Sequence, residues 1–361
     1  MKITLIAGAR PNFMKIAPII HAIHNAQNRK ENIEYRLIHT GQHYDKKMSG
    51  DFFEELNIPK PHANLSSGSG SQAEQTANIM IRFEKELLEN PTDLVLVVGD
   101  VTSTMACSIV AQKLNTKVAH VEAGIRSNDW SMPEEINRLV TDAITNYFFT
   151  TSKEANINLI NSGAKESSIH FVGNTMIDTL LSNLSKFKKP TFYEEKGLKE
   201  KSYIVMTLHR PANVDQESQL KELLEEIIKN TQNYQLIFPV HPRTSKILES
   251  LGIVHERLHF VEPLGYLEFN YLVKNSLAVI TDSGGITEET TVLNIPCLTL
   301  RDNTERPETV TVGTNELIGT NPKAIAPALN KLYSGNWKKG SIPELWDGKT
   351  AERIIDILLK L

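Results

Sequence analysis

Acidic and basic side chains in this chain gather at the ends of short apolar runs, and the two kinds gather in different halves. Asp100 follows Leu94-Val95-Leu96-Val97-Val98-Gly99, Glu122 follows Val118-Ala119-His120-Val121, and Glu134 stands in Pro133-Glu134-Glu135-Ile136-Asn137-Arg138. Three carboxylates converging at strand and helix ends are costly to bring together unless some are protonated or paired. Their mutual repulsion would raise their pKa values towards the range where protons move at neutral pH. A solvated acidic rim with ordinary helix caps is the alternative. The second half carries Asp282-Ser283-Gly284-Gly285 between an apolar run at 277–281 and a helical pattern that begins Ile286-Thr287-Glu288-Glu289. Two glycines there let the backbone approach a ligand, and the helix start offers N–H groups and the positive dipole end. Phosphate is the usual guest of such a turn. Glu289, one turn into the helix, can accept both hydroxyls of a ribose. An ordinary βα turn reads the same stretch equally well when it is taken alone.

Other polar residues tilt the balance. Arg243, Arg306, His209 and His241 stand at or beside neighbouring strand ends, and together with Ser283, Gly284 and Gly285 they compose a cradle for a diphosphate. Arg10 and Lys15 open a helix, where the dipole disfavours cations, so an anion is expected beside them; two solvated surface charges are the alternative. Phe269 in Leu267-Glu268-Phe269-Asn270-Tyr271 can hold a base or can be a core residue of an amphipathic helix. A diphosphate site opposite a carboxylate cluster points to a nucleotide-sugar reaction. Gly68-Ser69-Gly70-Ser71-Gln72-Ala73 fits the dinucleotide pattern literally, but no apolar strand runs into it, which disfavours nicotinamide redox chemistry. No cofactor and no metal ligand set is expected.

Elements that could position these groups follow a repeating strand–helix pattern. Strands are expected at 3–7, 35–39, 94–98, 118–121, 147–150 and 169–172, and a second series starts at 203–207. Helices lie between them, including one at 72–88 after the Ser-Gly loop and one at 105–114. Such alternation implies parallel sheets with helices on both faces. In these sheets ligands bind outside the carboxyl ends of the strands, where the polar residues above are found. A chain of 361 residues is comfortable for two domains, and 40% hydrophobic with 23% charged residues describes an ordinary globular protein. The net charge of −4 gives no reason to expect nucleic acid. No apolar run approaches membrane-spanning length. Only Cys107 and Cys297 are present, both in apolar stretches, which suits reduced thiols and a cytoplasmic location.

Taken together, the chain resembles the non-hydrolysing UDP-N-acetylglucosamine 2-epimerase family over essentially its whole length. The residues that carry the resemblance are Gly8-Ala9-Arg10-Pro11 with Lys15, Gln42-His43, Gly99-Asp100, His120-Val121-Glu122-Ala123-Gly124, the 133–138 segment, Gly173-Asn174-Thr175, Leu208-His209-Arg210, Pro239-Val240-His241-Pro242, Thr281 to Gly285 and Thr304-Glu305-Arg306-Pro307-Glu308. The resemblance implies two Rossmann-like doubly wound domains facing a cleft, the architecture of the B-type glycosyltransferases, commonly as a homodimer. It implies a first domain at 1–173 joined by a C-terminal helix at about 350–361, and a UDP-binding domain at 174–349. By the same resemblance Asp100, Glu122, Glu134 and His209 are the catalytic set. Arg10, Lys15, Gln42, His241, Ser283, Gly284, Gly285, Glu289 and Arg306 would hold UDP, with Phe269 at the uracil. The implied reaction converts UDP-GlcNAc to UDP-ManNAc through a 2-acetamidoglucal, for cell-surface polysaccharide synthesis. Asn12 stands where many members have an acid, and Ser71-Gln72-Ala73-Glu74-Gln75 lacks the arginine of members that bind a second, regulatory UDP-GlcNAc. The 41–45 and 73–75 segments are similar to the branch acting on UDP-2,3-diacetamido-uronic acids. A glycosyltransferase of the same architecture, or a UDP-sugar sensor, are the rival readings.

Overall fold

Strands buried on both faces need helices above and below, and β-strand Leu94–Val98 is buried at every position. The computed structural model describes residues 1–41, 53–68, 70–214, 216–240, 244, 247–248 and 251–361. The chain divides into two units, Met1–Ser182 with Glu344–Leu361, and Asn183–Pro343.

In the first unit the elements run β1 (Lys2–Ala7), α1 (Arg10–Asn28), β2 (Glu34–His39), β3 (Ala63–Asn64), α2 (Gln72–Glu89), β4 (Leu94–Val98), α3 (Thr102–Lys113), β5 (Lys117–Val121), α4 (Pro133–Ala143), β6 (Tyr147–Thr150), α5 (Lys153–Asn161), β7 (Ile169–Phe171) and α6 (Thr175–Asn183). All pair in parallel in the order β3-β2-β1-β4-β5-β6-β7. The order reverses between β1 and β4, so the loops leaving those two strands diverge and leave a crevice.

In the second unit β8 (Tyr203–Thr207), α7 (Glu217–Asn230), β9 (Gln235–Pro239), β10 (Leu258–Val261), α8 (Tyr266–Asn275), β11 (Ala278–Thr281), α9 (Gly284–Val292), β12 (Cys297–Thr299), β13 (Asn315–Leu317) and α10 (Ile325–Tyr333) repeat the plan. Its order is β10-β9-β8-β11-β12-β13, again parallel, with the reversal between β8 and β11. Alternation along β8 shows the two covered faces. Ile204 and Met206 pack with Leu220, Leu224 and Ile227 of α7, whereas Tyr203 and Val205 pack with Leu272 and Val273 of α8. The final helix, α11 (Thr350–Leu358), returns to the first unit.

Two domain boundaries and one helix start differ from the sequence expectation. The first unit extends through 182 rather than 173 because α6 packs on it: Thr179 Oγ1 donates to the Met14 carbonyl at 2.5 Å. The returning segment begins at 344 rather than 350, anchored by Trp346, which is 1% exposed and donates from Nε1 to the Thr151 carbonyl at 3.1 Å. Helix α3 starts at Thr102, three residues before the expected Met105, because Thr102, Ser103 and Thr104 are buried polar residues that masked the apolar pattern.

Candidate active site

Lys15 on α1 reaches past the end of β4 to Glu122, which follows β5, and its ammonium bonds the Glu122 carboxylate. The two side chains are 10% and 2% exposed, so each is the other's replacement for water. Glu122 itself has φ 69°, a left-handed conformation that costs a non-glycine residue on the order of 1–3 kcal/mol and tends to occur at working sites. Between them lies Gly99, with φ +65° and a Cα so close that a Cβ would stand 2.9 Å from Lys15 Nζ. Asn12 secures the neighbouring turn. Its Oδ1 accepts the Gly8 and Ala9 N–H groups at 3.0 and 3.1 Å, and its Nδ2 donates to the Val98 carbonyl at 3.2 Å.

Asp100 is held from α4. Arg138 donates to Asp100 Oδ2 from Nε at 3.0 Å and from Nη2 at 2.6 Å, and Asn137 donates to the Asp100 carbonyl at 2.8 Å. The other edge of Arg138 meets Glu135 at 2.7 Å. Burial works against the Glu135 charge, yet the Ser127 and Asn128 N–H groups and Arg138 outweigh it and hold its carboxyl below the ordinary value. Glu134 lies four residues before Arg138, hence on the same helix face, and is half-buried. Behind this group His120 spans from Asp142 Oδ1 to the Gly99 carbonyl, 2.7 Å at each end. Asp142 also accepts from Arg126 at 2.6 Å, and although burial opposes its charge, His120 and Arg126 pull its pKa down.

In the second unit Asp282 directly follows β11 and lies beneath His209, which follows β8. His209 Nδ1 is 2.7 Å from Asp282 Oδ1, while the His209 side chain is 62% exposed. The Ser283-Gly284-Gly285 turn starts α9, and these three residues are half-exposed. A Cβ on Gly284 would stand 2.7 Å from Glu305 Oε1, and Arg301 holds that carboxylate at 2.5 Å, so the glycine makes room for an ion pair. Arg306 is buried with its Nε on Glu288. Glu289, 4% exposed, accepts from Asn270 Nδ2 at 3.4 Å. The nearby Tyr266 phenol is held well above its usual pKa, first by burial and then by Glu289. Phe269 is half-buried against the apolar cluster of α8 and β8.

The structure therefore joins Lys15 with Glu122 and Asp100 with α4, and it joins His209 with the Ser283 turn through Asp282. Two expectations change. The acids are not left to repel one another: Glu122 has Lys15 and Asp100 has Arg138. The anion predicted beside Lys15 is thus a side chain of the same unit, carried in from β5. Gln42, His241, Arg243 and the side chain of Arg10 lie outside the described residues. Arg138, Asn137 and Asp282 were visible in the motifs but not assigned to the site. Their signal was a charged or amide side chain one turn or one residue from an expected site residue. Among the described residues no group of three or more His, Cys, Asp or Glu could hold a metal ion, and no helix is long and apolar enough to cross a membrane.

Two units of one strand order, each with its polar residues at the strand ends, define an α/β protein with the architecture of the B-type glycosyltransferases. A lipopolysaccharide outer core galactosyltransferase matches over 100% of both chains at TM-score 0.59 and 17% identity, a likeness of fold alone. A family model described as UDP-N-acetylglucosamine 2-epimerase matches residues 25–359, and the chain belongs to that enzyme family. A UDP-N-acetylglucosamine 2-epimerase of Methanocaldococcus jannaschii is 44% identical over 373 residues, covering 99% of each chain. The crystal structure of the Methanocaldococcus jannaschii UDP-GlcNAc 2-epimerase in complex with UDP-GlcNAc and UDP matches at TM-score 0.88 and 42% identity, over 100% of both chains. A UDP-2,3-diacetamido-2,3-dideoxy-D-glucuronate 2-epimerase of Pseudomonas aeruginosa is 39% identical over 366 residues, covering 100% of each chain.

Proposed function

We propose that the protein interconverts UDP-GlcNAc and UDP-ManNAc by eliminating and re-adding UDP. The observation that carries the reading is the buried Lys15–Glu122 pair on a left-handed backbone, beside an Arg138-bound Asp100, at the switch point of the first sheet. A buried carboxylate on a strained backbone is a poor structural choice and a good acid–base group.

The C2 hydrogen of such a sugar adjoins no carbonyl and is barely acidic, so departure of the diphosphate must lead. The C1–O bond breaks with its electrons leaving on UDP, the C2 proton passes to a carboxylate, and the C1=C2 bond of a 2-acetamidoglucal remains. Proton return to C2 from the opposite face, with the diphosphate oxygen re-forming its bond to C1, gives the epimer with no atom gained or lost. Asp100, Glu122 and Glu134 serve as acid and base, worth roughly 100- to 10,000-fold. His209 and the Ser283-Gly284-Gly285 turn stabilise the charge developing on UDP, with Arg10, Gln42, His241 and Arg306 holding it, Glu289 at the ribose and Phe269 at the uracil. Lys15 holds UDP as well, since its ammonium, bonded to the Glu122 carboxylate, has further donors to offer. The protein acts as a cytoplasmic homodimer supplying cell-surface polysaccharide synthesis.

A second substrate, a UDP-2,3-diacetamido-uronic acid, is favoured by the 39% identity to the Pseudomonas aeruginosa protein. Both are decided by one experiment. Each sugar nucleotide is incubated with the protein in D2O without acceptor or NAD, and the products are read by NMR. Deuterium at C2 of both epimers is expected. Epimer free of deuterium, or turnover that requires an acceptor and leaves C2 untouched, would overturn the mechanism.

A further inference from the structure

Asp282 has no part in the substrate-binding or catalytic sets above, yet it is fully buried and takes bonds from three neighbouring residues. The His209 N–H reaches its two oxygens at 3.2 and 3.1 Å, the Arg210 N–H reaches Oδ2 at 2.9 Å and Asn213 Nδ2 reaches Oδ2 at 3.0 Å. The fourth contact is the 2.7 Å approach of His209 Nδ1 to Oδ1. Three donors from outside the imidazole fix the carboxylate in place independently of the ring. The Arg210 side chain adds a further tie, Nε to the Asp282 carbonyl at 3.1 Å.

Such a carboxylate can only accept. Burial pushes its pKa up, but His209 first and then Asn213 and the Arg210 N–H more than offset this, leaving it below the ordinary value and hence anionic. His209 must therefore keep a proton on Nδ1, whether the ring is neutral or charged, because the nitrogen facing an acceptor is the one that holds the hydrogen. Nε2 is left as the working atom of a side chain that is 62% exposed. Among the described residues, the charged groups of this corner include Arg210, whose Nη2 is 3.8 Å from Glu305, and Arg301, which pairs with Glu305 beyond Gly284.

We propose that Asp282 is a positioning residue: it accepts from His209 Nδ1–H, so that Nε2 faces the leaving diphosphate and, in the imidazolium, donates to it. The proposal rests on the reading of His209 as the group facing that charge. It follows the arrangement in which a working side chain is oriented by a third, buried partner. It also makes one residue serve two ends of the same corner: Asp282 directly precedes the Ser283 turn and touches the His209 ring.

The test uses full-length protein with labelled histidine, the His209 signals being those lost in His209→Asn. In the wild type, neutral His209 is expected as the Nδ1–H tautomer, and in Asp282→Asn as a mixture. Turnover of a UDP-2-acetamido sugar is expected to fall by at least about 100-fold in Asp282→Asn, mostly in kcat, with UDP affinity measured by calorimetry little changed. In a His209→Asn background the same change costs no further turnover. An Nε2–H tautomer in the wild type would overturn the proposal, as would additive losses in the double variant. If Asp282→Asn does not fold, the wild-type tautomer decides alone. If the wild type turns over no UDP-sugar, the epimerase reading falls while the tautomer still reports on Asp282.

Discussion

Glu122 and Lys15 show what a single residue contributes. Either charge buried alone would be expensive; together they are a buried ion pair, and breaking such a pair costs roughly 3–5 kcal/mol because the survivor keeps its charge without water. Glu122→Gln is the milder probe, since the amide oxygen can still accept from Lys15. It is expected to retain UDP binding by calorimetry and to lose turnover by about 100- to 10,000-fold, whereas turnover within a few-fold of wild type would remove Glu122 from the chemistry. Gly99→Ala acts on the same pair from the backbone. The new Cβ would meet Lys15 Nζ at 2.9 Å on a residue with φ +65°, so a lower melting temperature and a loss of turnover are expected together. Retention of both would show that the loop yields. Sequence pattern located Glu122 and Lys15 but not their pairing, because 107 residues separate them and neither lies on the other's element.

At the scale of elements, α4 and α9 do different work. Helix α4 carries Glu134, Glu135, Asn137 and Arg138 within six residues, and one face of it assembles the setting of Asp100. Proline at its first position and two acids in its first turn made that helix legible in the sequence. Helix α9 was legible too, from the strand–Ser-Gly-Gly–helix order. What remained hidden was the Glu305–Arg301 pair against Gly284, contributed by the loop after β12. Gly284→Ala therefore places a methyl group against a carboxylate that is not free to move. Overpacking of this kind costs about 1–3 kcal/mol, and a fall in melting temperature accompanied by weaker UDP binding is expected. Weaker binding with an unchanged melting temperature would mean that the glycine serves only the ligand.

For the whole molecule, the decisive feature is the return of residues 344–361 to the first unit. Trp346, Ile354, Ile355 and Leu358 are each no more than 1% exposed. Burying one such aliphatic side chain contributes roughly 1.5–3 kcal/mol, so the three aliphatic side chains alone approach the entire stability of an ordinary domain. A chain ending at 343 is expected to leave the first unit unfolded, seen as loss of its protease resistance while the second unit survives. The same junction is sensitive to pH. Asp178 accepts the Thr350 and Ala351 N–H groups at 3.1 and 2.7 Å, yet burial outweighs those bonds and raises its pKa to about 6. A carboxyl raised above its unfolded value of 3.8 contributes stability that is fully present below that value and lost as pH rises through about 6. The loss amounts to about 3 kcal/mol. Asp178→Asn should flatten the dependence of unfolding free energy on pH across that window, and an unchanged slope would exclude Asp178 as its source.

The βα repeat, the places where the polar residues fall and the family to which the chain belongs are all legible in the linear chain. All three rest on local information: apolar period, turn residues beside strand ends, and motif order along the chain. Only the tertiary structure decided which charges meet. It paired Lys15 with Glu122 and Arg138 with Asp100, and set Asp282 under His209, as it also moved α6 and Trp346 into the first unit. The physical reason is common to all of these. A buried charge takes whichever partner the strand order brings alongside it, and strand order reverses at β1/β4 and β8/β11 in a way that residue spacing does not encode.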